Sequence, residues 1–98
     1  MRSGMRYELF GDGAGHDYLV GIESQMRRRD GSVLTTATVI YGNKQTISST
    51  GAYYCTEKSM ALSRPDGTVS DKKIPLKVGT PEFAMMQGAC AAAKRMGF

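Results

Sequence analysis

The chain reads as an α+β domain, an antiparallel β-meander of five to six short strands packed against one C-terminal α-helix. Three observations predict this. Short runs with two-residue alternation recur over residues 5–74, separated by glycine-bearing turns. One segment, residues 81–96, has helical periodicity with capping residues at both ends. The 98 residues match the length of a single domain, 1–98, with no linker or internal repeat to divide it.

The strands follow in order. Residues 5–10 (MRYELF) place Met5, Tyr7 and Leu9 on one face. The glycine-rich GDGAGHD that follows is a loop. Residues 18–26 (YLVGIESQM) put Tyr18, Val20, Ile22 and Met26 on one face and Glu23 and Gln25 on the other. Asp30-Gly31 marks a hairpin, because glycine tolerates the positive φ that a tight turn requires. Residues 33–41 (VLTTATVIY) are β-branched and form the returning strand. Gly42-Asn43 turns the chain into a weaker strand at 45–50. Residues 52–62 (AYYCTEKSMAL) are expected as one strand, with a bulge near Glu57–Ser59 to reconcile the parity of Tyr53 and Cys55 with that of Met60 and Leu62. After a turn at Pro65-Asp66-Gly67, residues 68–74 read as a polar edge strand guarded by Lys72 and Lys73.

The helix is the best-marked element. Thr80 is an N-cap, Pro81 suits the first helical position, and Glu82 complements the positive end of the dipole. Phe83, Met86, Cys90 and Ala93 share one face. Lys94 and Arg95 suit the C-terminal end, and Gly97 stops the helix. Met85, Met86 and Met96 read as gap-filling core methionines.

The net charge of +4 and pI near 9.3 permit attraction to polyanions without requiring it. No RNA-binding aromatic motif or DNA-reading helix is recognisable, which argues against nucleic acid as the partner. No stretch reaches the roughly 20 apolar residues of a membrane helix. MRSGMRYELF lacks the apolar core of a signal peptide. The chain is therefore either cytoplasmic or a mature exported domain without its targeting segment, with residues 1–4 as a cloning scar or disordered start.

Catalytic and metal constellations are missing from the pattern. The glycine loop at 11–16 is followed by a strand, not by the helix of a dinucleotide fingerprint. Asp12, His16 and Asp17 are adjacent loop residues of mostly oxygen type, a poor zinc set, so no metal and no cofactor are expected. A Cys55–His16 nucleophilic pair is conceivable, but a Cys90 thiol on the apolar helix face would be inert. The chain reads as a non-enzyme. Arg27, Arg28 and Arg29 sit at a hairpin tip and are the candidate partner-binding residues, although their side chains alternate faces and cannot all converge.

Cys55 and Cys90 are the only cysteines, one in a strand-like run and one in the helix. A bond between them would staple helix to sheet, and would imply an oxidising compartment.

The hairpin SQMRRRDGSV, the strand with YYC, DGTVSDKK, and the Thr-Pro-Glu helix start running into GAC together resemble the surface-adhesin E-like domains of the bacterial envelope. The resemblance spans residues 17–91. It implies an antiparallel sheet with a C-terminal helix, and a disulfide between Cys55 and Cys90. Members of that family carry a Trp ahead of the helix, where this chain has KIPLKVG, and a lipidated N-terminal cysteine, which this chain lacks. The expected function is a non-catalytic binding domain of the periplasm, cell surface or secreted space, directed at a protein partner or a host or envelope ligand. The alternative is a small cytoplasmic phage- or plasmid-encoded inhibitor or immunity protein.

Overall fold

The structure is a computed structural model that describes residues 6–42 and 45–97. Six strands run β1 (Tyr7–Gly11), β2 (Asp17–Arg27), β3 (Val33–Tyr41), β4 (Gln45–Tyr54), β5 (Ser59–Leu62) and β6 (Ile74–Pro75), followed by helix α1 (Pro81–Arg95). They form one antiparallel sheet in the order β1-β2-β3-β4-β5-β6, so every strand pairs with its neighbour in sequence. The helix lies across one face, chiefly on β2 and β3. This is the expected α+β layout.

The core lies between helix and sheet. Val20, Ala37, Val39, Tyr53 and Met60 from the strands meet Phe83, Ala84, Met85, Met86 and Ala89 from α1. Cross-strand pairs Val20↔Val39 and Tyr53↔Met60 place these side chains in rows on the helix side. Met96, expected in the core, is exposed beyond the last turn.

Thr80 caps the helix as the sequence predicts, its hydroxyl accepting the Phe83 amide at 3.2 Å. The same hydroxyl donates to the Lys77 carbonyl at 2.8 Å, which ties the cap to the preceding loop. Thr80→Ala is expected to lower stability by about 1 kcal/mol, read from thermal or urea unfolding. Gly97 adopts φ 87 just past the helix and serves as the stop.

Three expectations are corrected. The register of β2 on β3 shifts between Glu23 and Met26, a bulge that inverts the parity of the strand end. Met26 therefore faces solvent at 59% exposure, instead of sharing a face with Val20 and Ile22. Residues 52–62 are not one bulged strand. β4 runs through Gly51 to Tyr54, residues 55–58 form a tight turn with Lys58 at φ 54, and β5 returns. Residues 68–74 are not a strand. Val69 makes an isolated bridge to Ser63, outside the strands, and only the two-residue β6 pairs with β5, because the polar run carries too little apolar surface to hold a ladder. In β1, Tyr7 and Leu9 do share a face, but it is the open one, while Phe10 packs towards the core. Met5, Asn43 and residues 1–4 lie outside the described residues.

The loop 12–16 is built rather than slack. Asp12 is fully buried, and its Oδ1 accepts the amides of Ala14 at 2.8 Å and His16 at 3.2 Å. Its Oδ2 lies 3.3 Å from His16 Nδ1 and accepts the Tyr18 hydroxyl at 3.4 Å. Burial pushes the Asp12 carboxyl up, but the two amides and the His16 imidazole together outweigh it and hold the group below its ordinary value. The Gly79 amide donates to the Asp12 carbonyl at 2.8 Å, so this loop also anchors the approach to the helix.

Candidate functional site

The site begins with the bulge. Beyond it Arg27 pairs with Val33, and Val33 pairs with Tyr53, so Arg27 projects to the helix side of the sheet. Without the extra residue it would share the solvent face now held by Met26. The turn after β4 brings Cys55 under the second half of α1, where Cys90 meets it. The bond has an S–S distance of 2.02 Å and a Cα–Cα distance of 6.0 Å across 35 residues. There is no free cysteine among the described residues.

Arg27, Gly31, Cys55, Cys90, Ala93 and Lys94 line a cleft of about 260 Å³ over this disulfide. A second cleft of about 270 Å³ shares Arg27, Gly31 and Cys55 and runs towards Asp30, Tyr54 and Glu57. The first cleft has two cations on its wall and no carboxylate, and the second is mixed in charge. Arg27 and Lys94 make no hydrogen bond or ion pair among the described residues, whereas Arg28, Arg64, Lys73 and Arg95 are all engaged.

The three tip arginines do not converge, because Arg27 ends β2 while Arg28 and Arg29 lie in the turn beyond it. Arg28 turns to the tip itself, its Nη1 donating to Asp30 at 3.3 Å, to the Ser32 hydroxyl at 3.2 Å and to the Tyr54 hydroxyl at 3.2 Å. It is a structural clamp. Arg29 points into solvent at the turn. Only Arg27 joins the cysteines. Lys94, placed on the sequence as a helix-end cation, completes the cleft and carried no other signal.

The turn that presents Gly31 is fixed by Asp30. Its Oδ1 accepts the Ser32 hydroxyl at 2.6 Å and the Ser32 amide at 3.0 Å. Those two bonds, helped by Tyr54 and Arg28, bring the Asp30 carboxyl down from 3.8 to about 2. A depressed carboxylate stabilises the fold above its unfolded value and ceases to do so as pH falls through the folded one. Stability is therefore expected to decline between pH 3.8 and about 2, and Asp30→Asn should flatten that slope in a series of melting curves. The effect is small, because the group is about half exposed.

Near Tyr54, Lys73 Nζ sits 4.2 Å from the ring centroid and 2.8 Å from Glu57 Oε1. Lys73 thus bridges Tyr54 and Glu57, two residues that line the second cleft. No group of three or more His, Cys, Asp or Glu side chains among the described residues is arranged to hold a metal ion. His16 and Cys55 are not brought together in either cleft. Comparison of the chain with models of known protein families, with curated proteins and with solved structures finds no significant match.

Proposed function

We propose that the chain is a non-catalytic extracytoplasmic binding domain of the surface-adhesin E-like type, and that the cleft over its disulfide receives an anionic group of a protein, host or envelope ligand. The observation that carries this reading is the pairing of Arg27, aimed by the bulge, with Lys94 on the wall of a cleft lined by Cys55 and Cys90. Unpaired guanidinium and ammonium groups beside a concavity suit carboxylate, sulfate or phosphate, with Arg supplying planar paired donors.

Two further features support it. The Cys55–Cys90 bridge belongs to oxidising compartments, which favours export over a cytoplasmic inhibitor. No helix among the described residues is long and apolar enough to cross a membrane. The layout of sheet, helix and bridge is the one that the resemblance implies.

The test has two arms. The chain is exported behind a signal peptide, alkylated without reduction and weighed intact. Zero free thiols in the monomer are expected, and two free thiols would remove the extracytoplasmic argument. The exported protein is then titrated with a heparin-derived hexasaccharide as a polyanionic probe, with amide chemical shifts as the readout. Shifts are expected at Arg27, Gly31, Cys55 and Lys94, and should vanish in Arg27→Ala/Lys94→Ala. Shifts that survive in that variant, or no shifts in the parent protein, would dismiss the cleft as the site.

A further inference from the structure

Between β5 and α1 the chain changes character. No residue from 62 to 82 is buried, and Leu62, Ile74 and Val78 are exposed although apolar. The rest of the molecule holds this stretch at few points. The Ser70 amide donates to the Leu62 carbonyl at 2.9 Å, β6 pairs over two residues, and the Leu76 amide donates to the Lys58 carbonyl at 3.0 Å. From 71 to 73, among the described residues, the backbone is held only by the Lys72 amide donating to the Ser70 hydroxyl at 3.1 Å, a bond local to the loop. A segment so exposed and so sparsely bonded opens without unfolding the domain, and such segments are where proteases cut. β6 is also the last strand of the sheet, so the stretch can move outward without crossing another strand.

Lys72 and Lys73 stand in the middle of it. Lys72 is exposed and its ammonium has no partner among the described residues. Lys73 reaches back to Glu57 at 2.8 Å, an exposed ion pair of little strength. Other basic residues are less open to attack. Arg64 precedes Pro65, whose ring nitrogen makes a poor scissile bond. Arg28 is locked in its turn by backbone bonds to Ser32 and Gly31 at 2.9 and 3.0 Å. Lys58 sits in a tight turn at φ 54, and the Lys77 carbonyl accepts the Thr80 hydroxyl at 2.8 Å.

The covalent frame decides what a cut does. Hydrolysis of the Lys72–Lys73 amide adds one water, leaving a carboxylate on Lys72 and an ammonium on Lys73. Cys55 and Cys90 lie on opposite sides of that bond, so the pieces 1–72 and 73–98 stay joined through the disulfide. The first piece keeps β1 to β5 and the second keeps β6 and α1. Phe83, Met85 and Met86 remain packed on Val20 and Val39, because none of these contacts involves the loop.

We infer that the Lys72–Lys73 bond is a processing site for an endoprotease of trypsin-like specificity, and that the product is a folded two-chain molecule held by the Cys55–Cys90 bridge. The cleft over the disulfide is lined by no residue of 62–82, so a failure of this inference leaves the proposed function intact.

The experiment is limited digestion of the oxidised protein with trypsin in the absence of denaturant, followed by intact mass before and after reduction. One early product is expected, heavier than the parent by one water. It should separate into 1–72 and 73–98 only on reduction, and before reduction should keep the parent's circular-dichroism spectrum. Lys72→Gln/Lys73→Gln alters two exposed side chains and should lose this product over the same time course. A parent that stays uncut, or whose first cut falls at another bond, would overturn the inference. So would a nicked protein that loses its spectrum, or early cutting of the glutamine variant elsewhere at the rate of the parent.

Discussion

Removing the disulfide through Cys55→Ala/Cys90→Ala is expected to cost about 3–4 kcal/mol, by the loop-closure argument applied to a separation of 35 residues. For a domain of this size that corresponds to a fall in Tm of roughly 12–30 °C. The staple sits where packing is weakest. The large side chains of α1 that reach the core, Phe83, Met85 and Met86, all lie in its first half. The second half offers Gly88, Ala89, Ala91, Ala92 and Ala93, which bury little area each. Beyond these, Cys90 and the Arg95–Glu8 ion pair hold the end of the helix, and exposed ion pairs contribute little. The loss should therefore be uneven. Amide exchange in the double variant is expected to speed up at residues 90–96 far more than at 83–86. A stability change below about 1 kcal/mol would show that the small-residue contacts suffice by themselves.

Gly51→Val is the second large effect, and its sign separates two views of the residue. Strand propensity alone favours a β-branched replacement by up to about 1 kcal/mol. Packing opposes it. A Cβ at position 51 would stand 2.5 Å from the Ala61 carbonyl oxygen and 2.7 Å from Met60 Cε. The nearer obstacle is backbone of the adjacent strand, which moves only if the β4–β5 ladder opens. Overpacking of this kind costs about 1–3 kcal/mol, and a branched side chain against backbone belongs at the upper end. The net expectation is a loss of about 2 kcal/mol or more in urea unfolding, and a gain would refute the crowding account. Gly88 gives the contrasting case. Its Cβ would meet Val20 Cγ1 at 2.8 Å, a side chain that can yield. Gly88→Ala should cost less, with part of the loss recovered by Val20→Ala.

Gly51 also shows why some of the fold was hard to read. In sequence it resembles a break between 45–50 and 52–62, although in space it is a point where β5 leaves no room for a Cβ on β4. Local signals described local structure well. Thr80, Pro81, Glu82 and Gly97 bound the helix because caps act within one turn. Asp30-Gly31 and Asp66-Gly67 turn the chain because the glycines take φ 88 and 90. These two turns share a five-residue pattern, Arg-x-Asp-Gly followed by Ser or Thr, at 28–32 and 64–68. In each, the Asp accepts the amide and hydroxyl of the last residue, and the Arg donates to that hydroxyl. That recurrence, passed over among internal repeats because it spans only five residues, links the clamp role of Arg28 to that of Arg64.

Non-local features were not legible. The bulge between Glu23 and Met26 has no glycine or proline to announce it, and the whole parity of Arg27 depends on it. The resemblance implied the cysteine pairing, and the structure contains it. The meeting of that bridge with Arg27 and Lys94 needed three elements to be placed at once. Asp12 was hidden for a related reason. A buried carboxylate satisfied by amides looks, in sequence, like any loop aspartate.

The order of elements along the chain bears on how the protein is made. All six strands precede α1, and each pairs with the strand synthesised just before it. The sheet can therefore assemble progressively as the chain emerges. Its helix-facing residues, Val20, Val39, Tyr53 and Met60, then remain bare until the last element arrives. Cys55 is likewise presented as a lone thiol for the time taken to produce 35 more residues. The nascent protein passes through a half-built stage with an open apolar face and an unpaired cysteine, the stage at which a holdase or an oxidase has its opportunity to act.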